Sequence, residues 1–101
     1  MNKRETGAVY EERAAAYLIQ HGFQILEKNF YCRQGEIDLV GIHGEYLVFV
    51  EVKYRKSKGK GLPEEAVTAA KQKKICRASE FYRSRNCHFF RYQVRYDVVA
   101  I

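Results

Sequence analysis

A chain of 101 residues is long enough for one domain around one core, and 47% hydrophobic with 14% aromatic residues supplies that core and excludes wholesale disorder. Lys and Arg outnumber Asp and Glu by 18 to 12, a formal charge of +6 that suits a polyanionic partner, nucleic acid first, although solubility alone would also account for it. No apolar run approaches the roughly 20 residues that span a bilayer, and the opening MNKRETGAVYEER lacks the apolar centre of a secretory signal, so the expectation is a cytoplasmic protein with no membrane partner.

From about Thr6 to His21 the chain reads as a helix, because Tyr10, Ala14, Tyr17 and Leu18 follow the stripe of a half-buried helix. Gly22 is placed to stop it in the left-handed conformation. Around this helix Glu11 falls beside Leu18 at the edge of the buried stripe while Glu12 faces solvent, so Glu11 is the acid with a place inside the fold. FQILEKNFYC reads as a strand, and GEIDLVGIHGEYLVFVEVKYR, residues 35 to 55, holds two clearer ones around a turn near His43-Gly44. YRKSKGKGLP then interleaves Lys and Arg with Ser and Gly, the composition of a mobile basic loop. Pro63 suits the first turn of a second helix, with Glu64 and Glu65 near its positive end. This helix should reach about Arg85 and bury Val67, Ala70, Ile75, Ala78, Phe81 and Tyr82, with Lys71 and Lys74 intruding on the same face. Finally, FRYQVRYDVVAI alternates Phe90, Tyr92, Val94, Tyr96, Val98 and Ala100 against polar residues, as a half-buried strand does. No internal repeat or domain boundary interrupts the order αβββαβ, a single α/β domain with a central mixed sheet.

Cys32, Cys76 and Cys87 are odd in number and scattered, giving neither a disulfide framework nor a zinc spacing, and read as ordinary partly buried thiols. His21, His43 and His88 are equally dispersed, and no chemical role is expected of them.

The charges that interrupt the second and third strands are the unusual feature. With a two-residue loop at His43 and Gly44, Ile37 faces Val50 and Leu39 faces Val48, and with Val52 they form one apolar face. The other face carries Val40, Leu47 and Phe49 near the turn, then Glu36, Asp38, Glu51 and Lys53 away from it. In this register Glu36 opposes Glu51 and Asp38 is diagonal to it, whereas a loop longer by two residues puts Asp38 directly across from Glu51. Like charges opposed in a sheet are destabilising, so something should hold them together. Lys53 supplies one positive charge, and an oxygen-rich cluster is also what Mg2+ or Mn2+ prefers. A solvent-facing edge strand would carry similar charges. Against that, Val40, Leu47 and Phe49 imply a covered face with a cleft, and the basic loop leaves directly from Lys53.

An acid on the first helix, then Asp, then E-x-K on the next strand resembles the signature of the PD-(D/E)xK nuclease superfamily, which includes archaeal Holliday-junction resolvases and many restriction enzymes. The matching positions are Glu11, Asp38, Glu51 and Lys53, with Ile37 where the signature has proline. More closely, EERAAAYL, HGFQILEKNF, GEIDLV, LVFVEVKYR, AVTAAKQKKI and YDVVAI resemble the YraN family of small bacterial proteins of unestablished function, over nearly the whole chain. The resemblance implies a restriction-endonuclease-like three-layer sandwich and a metal-dependent endonuclease that hydrolyses DNA phosphodiesters at branched or repair intermediates. It implies that Asp38 and Glu51 bind Mg2+ or Mn2+, with the backbone carbonyl of Val52 and, directly or through water, Glu11 as further ligands. Lys53 would position water or the scissile phosphate, and Glu36 would be an auxiliary ligand or a structural acid.

Arg55, Lys56, Lys58 and Lys60 are expected to grip flanking phosphates, giving salt-dependent binding with little sequence preference. Lys71 and Gln72 lie where they could face the same cleft, although a snorkelling lysine would look the same. By analogy with junction-type relatives a homodimer is expected, on analogy only. Two other functions compete: a nucleic-acid-binding module that keeps the fold but cuts nothing, and a scaffold whose acidic cluster is a structural network.

Overall fold

The computed structural model of the protein describes residues 3–53 and 68–101, with side chains from residue 8 onward. Helix α1 (Lys3–Gln20) leads into strands β1 (Gln24–Cys32), β2 (Gly35–His43) and β3 (Tyr46–Lys53). Helix α2 (Ala69–Arg85), a 3-10 turn at Cys87–Arg91 and strand β4 (Gln93–Ala100) complete the fold. The expected αβββαβ order therefore holds. No helix among the described residues is long and apolar enough to cross a membrane.

The sheet runs β1-β2-β3-β4. The first three strands are antiparallel neighbours, and β4 lies parallel to β3 after the crossover through α2. Each face carries one helix, which gives the three layers. On one side Ala14, Ala15 and Leu18 of α1 pack with Phe23, Leu39, Val48 and Val50. On the other, Ala78 and Tyr82 of α2 pack with Ile37, Val40, Leu47 and Phe49. Tyr82 anchors this second layer, presenting edges to Phe30 and Phe49 at centroid distances of 5.1 and 5.9 Å.

Local chemistry explains where the elements stop. At the end of α1 the Gly22 N–H donates to the Ile19 carbonyl and the Phe23 N–H to that of Leu18. This is the double bond of a Schellman closure, and Gly22 at φ 91° is the residue that makes it possible. Leu18 and Phe23 then meet in the core, the contact that accompanies such a cap.

Several sequence expectations need correction. The hairpin loop is Gly44-Glu45, with His43 paired to Tyr46 and Leu39 to Val50. It is still a two-residue loop, shifted one place along the chain, because Gly44 at φ 62° takes the first turn position. That shift moves the pairing by two, so Asp38 falls opposite Glu51, the placement that a longer loop would also give. The apolar face is also broken: Ile37 packs on the α2 side and Leu39 on the α1 side, so β2 does not alternate regularly through Asp38. Tyr17 is exposed although it belongs to the expected α1 stripe, and Ala15 is buried in its place.

Helix α2 begins at Ala69, capped by Thr68 in an extended conformation, rather than at Pro63. Residues Pro63, Glu64, Glu65 and Val67 lie outside the described residues, as do Arg55, Lys56, Lys58 and Lys60. Ala70 is exposed, and Ser79 joins Ala78 and Tyr82 on the buried face. Phe90 belongs to the 3-10 turn and not to the last strand. On β4, Tyr96 and Val98 are about half exposed because this edge strand is only partly covered by α2. Cys76 and Cys87 are exposed thiols and only Cys32 is partly buried.

Candidate functional site

The β2–β3 ladder runs from His43↔Tyr46 to Leu39↔Val50 and stops one step short of Asp38 and Glu51. Where the next backbone pair would fall, the side chain of Asp38 takes over: its Oδ2 accepts the Val52 N–H at 2.8 Å. The N–H and C=O of one strand residue point to the same side, so the Val52 carbonyl also faces Asp38. The Lys53 carbonyl faces the other way and accepts the Ile101 N–H at 2.8 Å. The carboxyl groups of Asp38 and Glu51 lie close enough for each to shift the other's pKa. The carboxylates that the sequence placed near each other are therefore neighbours.

Two ammonium groups close on the same point. Lys71 Nζ, from the first turn of α2, contacts Glu51 Oε2. Lys53 Nζ lies 3.7 Å from the same oxygen. Glu51 is only 8% exposed, a depth at which a lone carboxylate would be strongly disfavoured. Burial opposes its ionisation, but the hydrogen bonds from Asp38 and Lys71 and the charges of both lysines prevail and hold its pKa below the ordinary value. Asp38 takes the other role. Burial, the hydrogen bond to Glu51 and the charges of Glu51 and Glu11 push its carboxyl up to about 8, against the pull of the Val52 N–H. The two carboxyls are thus driven apart in acidity, Asp38 keeping its proton to higher pH than Glu51. The neighbouring Lys71, then burial, lower the pKa of Lys53. For Lys71, burial acts downward but contact with Glu51 outweighs it, and the pKa is raised.

Glu11 borders this group from α1 and is half-buried, as its place on the helix predicted. Burial raises its pKa, with the charges of Glu36, Glu51 and Glu12 acting the same way and a hydrogen bond from Asn29 opposing them. Asn29 is a neighbour of Glu11 that no sequence motif pointed to. It stands at φ 54° between the β1–β2 pairs Lys28↔Leu39 and Phe30↔Ile37, beside Asp38. Glu12 faces solvent as expected and accepts from Lys28 Nζ at 2.6 Å. Glu36 is exposed. Gln72 lines a largely apolar cavity of about 250 Å3 with Ile75, Cys76, Tyr96 and Val98, and Glu51 borders it. The expected phosphate-gripping residues Arg55, Lys56, Lys58 and Lys60 fall outside the described residues.

The donor set suits a hard divalent cation. Hard divalent cations such as Mg2+ take oxygen ligands and are commonly held by one or two carboxylates. Asp38 and Glu51, neighbours that shift each other's pKa, are the two carboxylates that could share one Mg2+ or Mn2+. Among the described residues no group of three or more His, Cys, Asp or Glu side chains is gathered closely enough to hold an ion. The Val52 carbonyl, on the same side of β3 as the N–H that Asp38 accepts, is a further oxygen that could serve such an ion.

Residues 10–101 match the profile of a family described as "Uncharacterised protein family UPF0102". The UPF0102 protein TTE1452 of Caldanaerobacter subterraneus subsp. tengcongensis is 46% identical over 101 residues, covering 100% of this chain and 82% of that protein. A UPF0102 protein of Lachnoclostridium phytofermentans is also 46% identical, over 100% of this chain and 86% of its own length. One from Rhodococcus opacus is 48% identical over 96 residues, covering 94% of this chain and 80% of the relative. With the match extending over nearly every residue that builds the sheet and the carboxylate pair, the chain belongs to the UPF0102 family of uncharacterised bacterial proteins.

Proposed function

We propose that the protein is a metal-dependent endonuclease that hydrolyses phosphodiester bonds of DNA, with branched or repair intermediates as the substrate class. The observation that carries this reading is the meeting of Asp38 and Glu51 at the end of the β2–β3 ladder, with Lys53 and Lys71 on the same carboxylate. A purely structural pair would be simpler as two apolar residues, since buried charge is costly to hold. The grouping also agrees with the resemblance to the PD-(D/E)xK nucleases.

In this reading Asp38 and Glu51 bind Mg2+ or Mn2+, and the Val52 N–H fixes the orientation of Asp38. When bound, the ion supplies Lewis acidity toward both water and the phosphate. Lys53, held close to Glu51 but with its ammonium less tightly paired than that of Lys71, positions the water or the scissile phosphate. Glu11, oriented by Asn29, orders water at the rim of the site. Arg55, Lys56, Lys58 and Lys60 contact flanking phosphates in a salt-dependent way. The reading places the work in the cytoplasm, in repair or recombination, and in a homodimer by analogy with junction-cutting nucleases.

A second reading is a nucleic-acid-binding module that cuts nothing by itself, and the lack of a third close acidic ligand among the described residues favours it. One experiment separates them. Purified protein is incubated with duplex, single-stranded and branched DNA in Mg2+, Mn2+ or EDTA, beside Lys53→Ala. Metal-dependent cutting that disappears in the variant is the expected result. Salt-sensitive binding without cutting on any substrate would replace the enzyme with the module.

A further inference from the structure

Lys71 is in an unfavourable place by local rules. It is the third residue of α2, where its N–H donates to the Oγ1 of the Thr68 cap at 3.1 Å. A helix N-terminus is electropositive and prefers acidic side chains. The first turn of α2 has none. Local departures of this kind mark positions retained for another reason. Here the reason is visible: the Lys71 ammonium contacts Oε2 of Glu51.

The two partners of that contact differ in freedom. Glu51 is embedded in the sheet at 8% exposure, while the Lys71 side chain is 42% exposed and enters from solvent. A divalent ion shared by Asp38 and Glu51 would meet this ammonium at the same oxygen, where like charges repel. The exposed partner is the one that can leave. An ammonium released at the mouth of the site is then adjacent to any phosphate presented to the carboxylate pair.

We propose that Lys71 is the resident counter-ion of the carboxylate pair, displaced from Glu51 when a divalent cation binds and thereby freed to hold a substrate phosphate. The inference rests on the cation reading of Asp38 and Glu51 and adds a handover to it: cation loading and phosphate capture become linked through one side chain. Linkage of this kind is reciprocal, so DNA must also tighten the cation. Lys53 does not fill the role. It lies farther from the oxygen and is more buried, at 17% side-chain exposure.

The test is a Mn2+ titration of wild type, Lys71→Ala and Lys71→Met, followed by electron paramagnetic resonance of the free ion, with folding checked by circular dichroism. Removing the competitor should tighten Mn2+ binding about two- to fivefold, the range set by a half-exposed ion pair. Lys71→Met keeps the aliphatic stem, so agreement between the two variants assigns the change to the charge. A merely structural lysine would weaken cation binding or leave it unchanged when removed, and either result overturns the proposal. The second measurement is DNA affinity with Ca2+ or EDTA: Ca2+ should strengthen binding in wild type and do so less in both variants. Equal strengthening in all three proteins would also overturn it. Mn2+ bound by neither wild type nor variant would remove the cation reading itself, a failure distinct from unaltered affinity.

Discussion

Asp38 is held by partners that pull its proton in opposite directions, and the outcome is a carboxyl moved from its ordinary 3.8 to about 8. A folded state that binds a proton more tightly than the unfolded chain gains stability at low pH. The contribution is fully present below about 3.8 and is lost as pH rises through about 8. Glu51 has the opposite sign, since its lowered pKa gives stability above its ordinary 4.5 that is lost on acidification. Because the two titrate as a pair, Asp38→Asn is the variant that isolates the first effect. In EDTA, the urea midpoint of wild type should fall across the window between about pH 4 and 8, and Asp38→Asn should flatten that fall. An unchanged slope would assign the proton elsewhere. Asn29 gives a second residue-scale expectation. Asn tolerates its left-handed backbone better than other non-glycine residues, so Asn29→Ala should destabilise by about 1 kcal/mol in urea. Asn29→Gly should cost less while also removing the hydrogen bond to Glu11, which separates backbone strain from the side chain's own role.

At the scale of elements, what was legible in the sequence was what repeats. Period-two alternation located β2 and β3, and the Gly22 stop located the end of α1. The meeting of Asp38 and Glu51 was legible too, because either hairpin register keeps them on one side. Exact register was not. GIHGEY offers two placements of a two-residue loop, and only the backbone of Gly44 decides between them. Ile37 departs from its expected face because alternation assumes a regular strand, whereas β2 changes sides around Asp38. The start of α2 was hidden because proline and two glutamates outweigh a quieter signal. In that signal, Thr68 accepts the Lys71 N–H and so fits the pattern of a capping residue three places upstream. Thr68→Ala should therefore lower stability by roughly 0.5–2 kcal/mol in urea denaturation, and Thr68→Ser should restore most of it. Since the same cap sets the helix turn that carries Lys71, Thr68→Ala should also loosen the grip on Glu51. No change in stability would mean that the helix start is held by packing alone.

For the molecule as a whole, the net charge of +6 is unevenly explained by its described part. Several cations already have carboxylate partners: Lys28 with Glu12, Arg95 with Asp97, and Lys53 and Lys71 with Glu51. Such pairing places these cations beside acids that the net count has already subtracted. Under the proposed nuclease reading the candidates for long-range attraction are Arg55, Lys56, Lys58 and Lys60, which stand between β3 and α2 in sequence with no acid among them. These four residues follow Lys53 closely in sequence, and the proposed reading assigns them the flanking phosphates. The consequence is measurable without any cutting. In fluorescence anisotropy on duplex DNA in EDTA, the logarithm of affinity should fall linearly with the logarithm of salt concentration. Replacing the four cations by Ser together should make that slope shallower by roughly 3.6, about 0.9 for each phosphate that is no longer neutralised. Asp38→Asn removes no cation and should leave the slope nearly as it was. A fourfold variant with the wild-type slope would show that the basic segment does not touch the polymer, and that attraction arises from cations on α2 and the sheet edge instead.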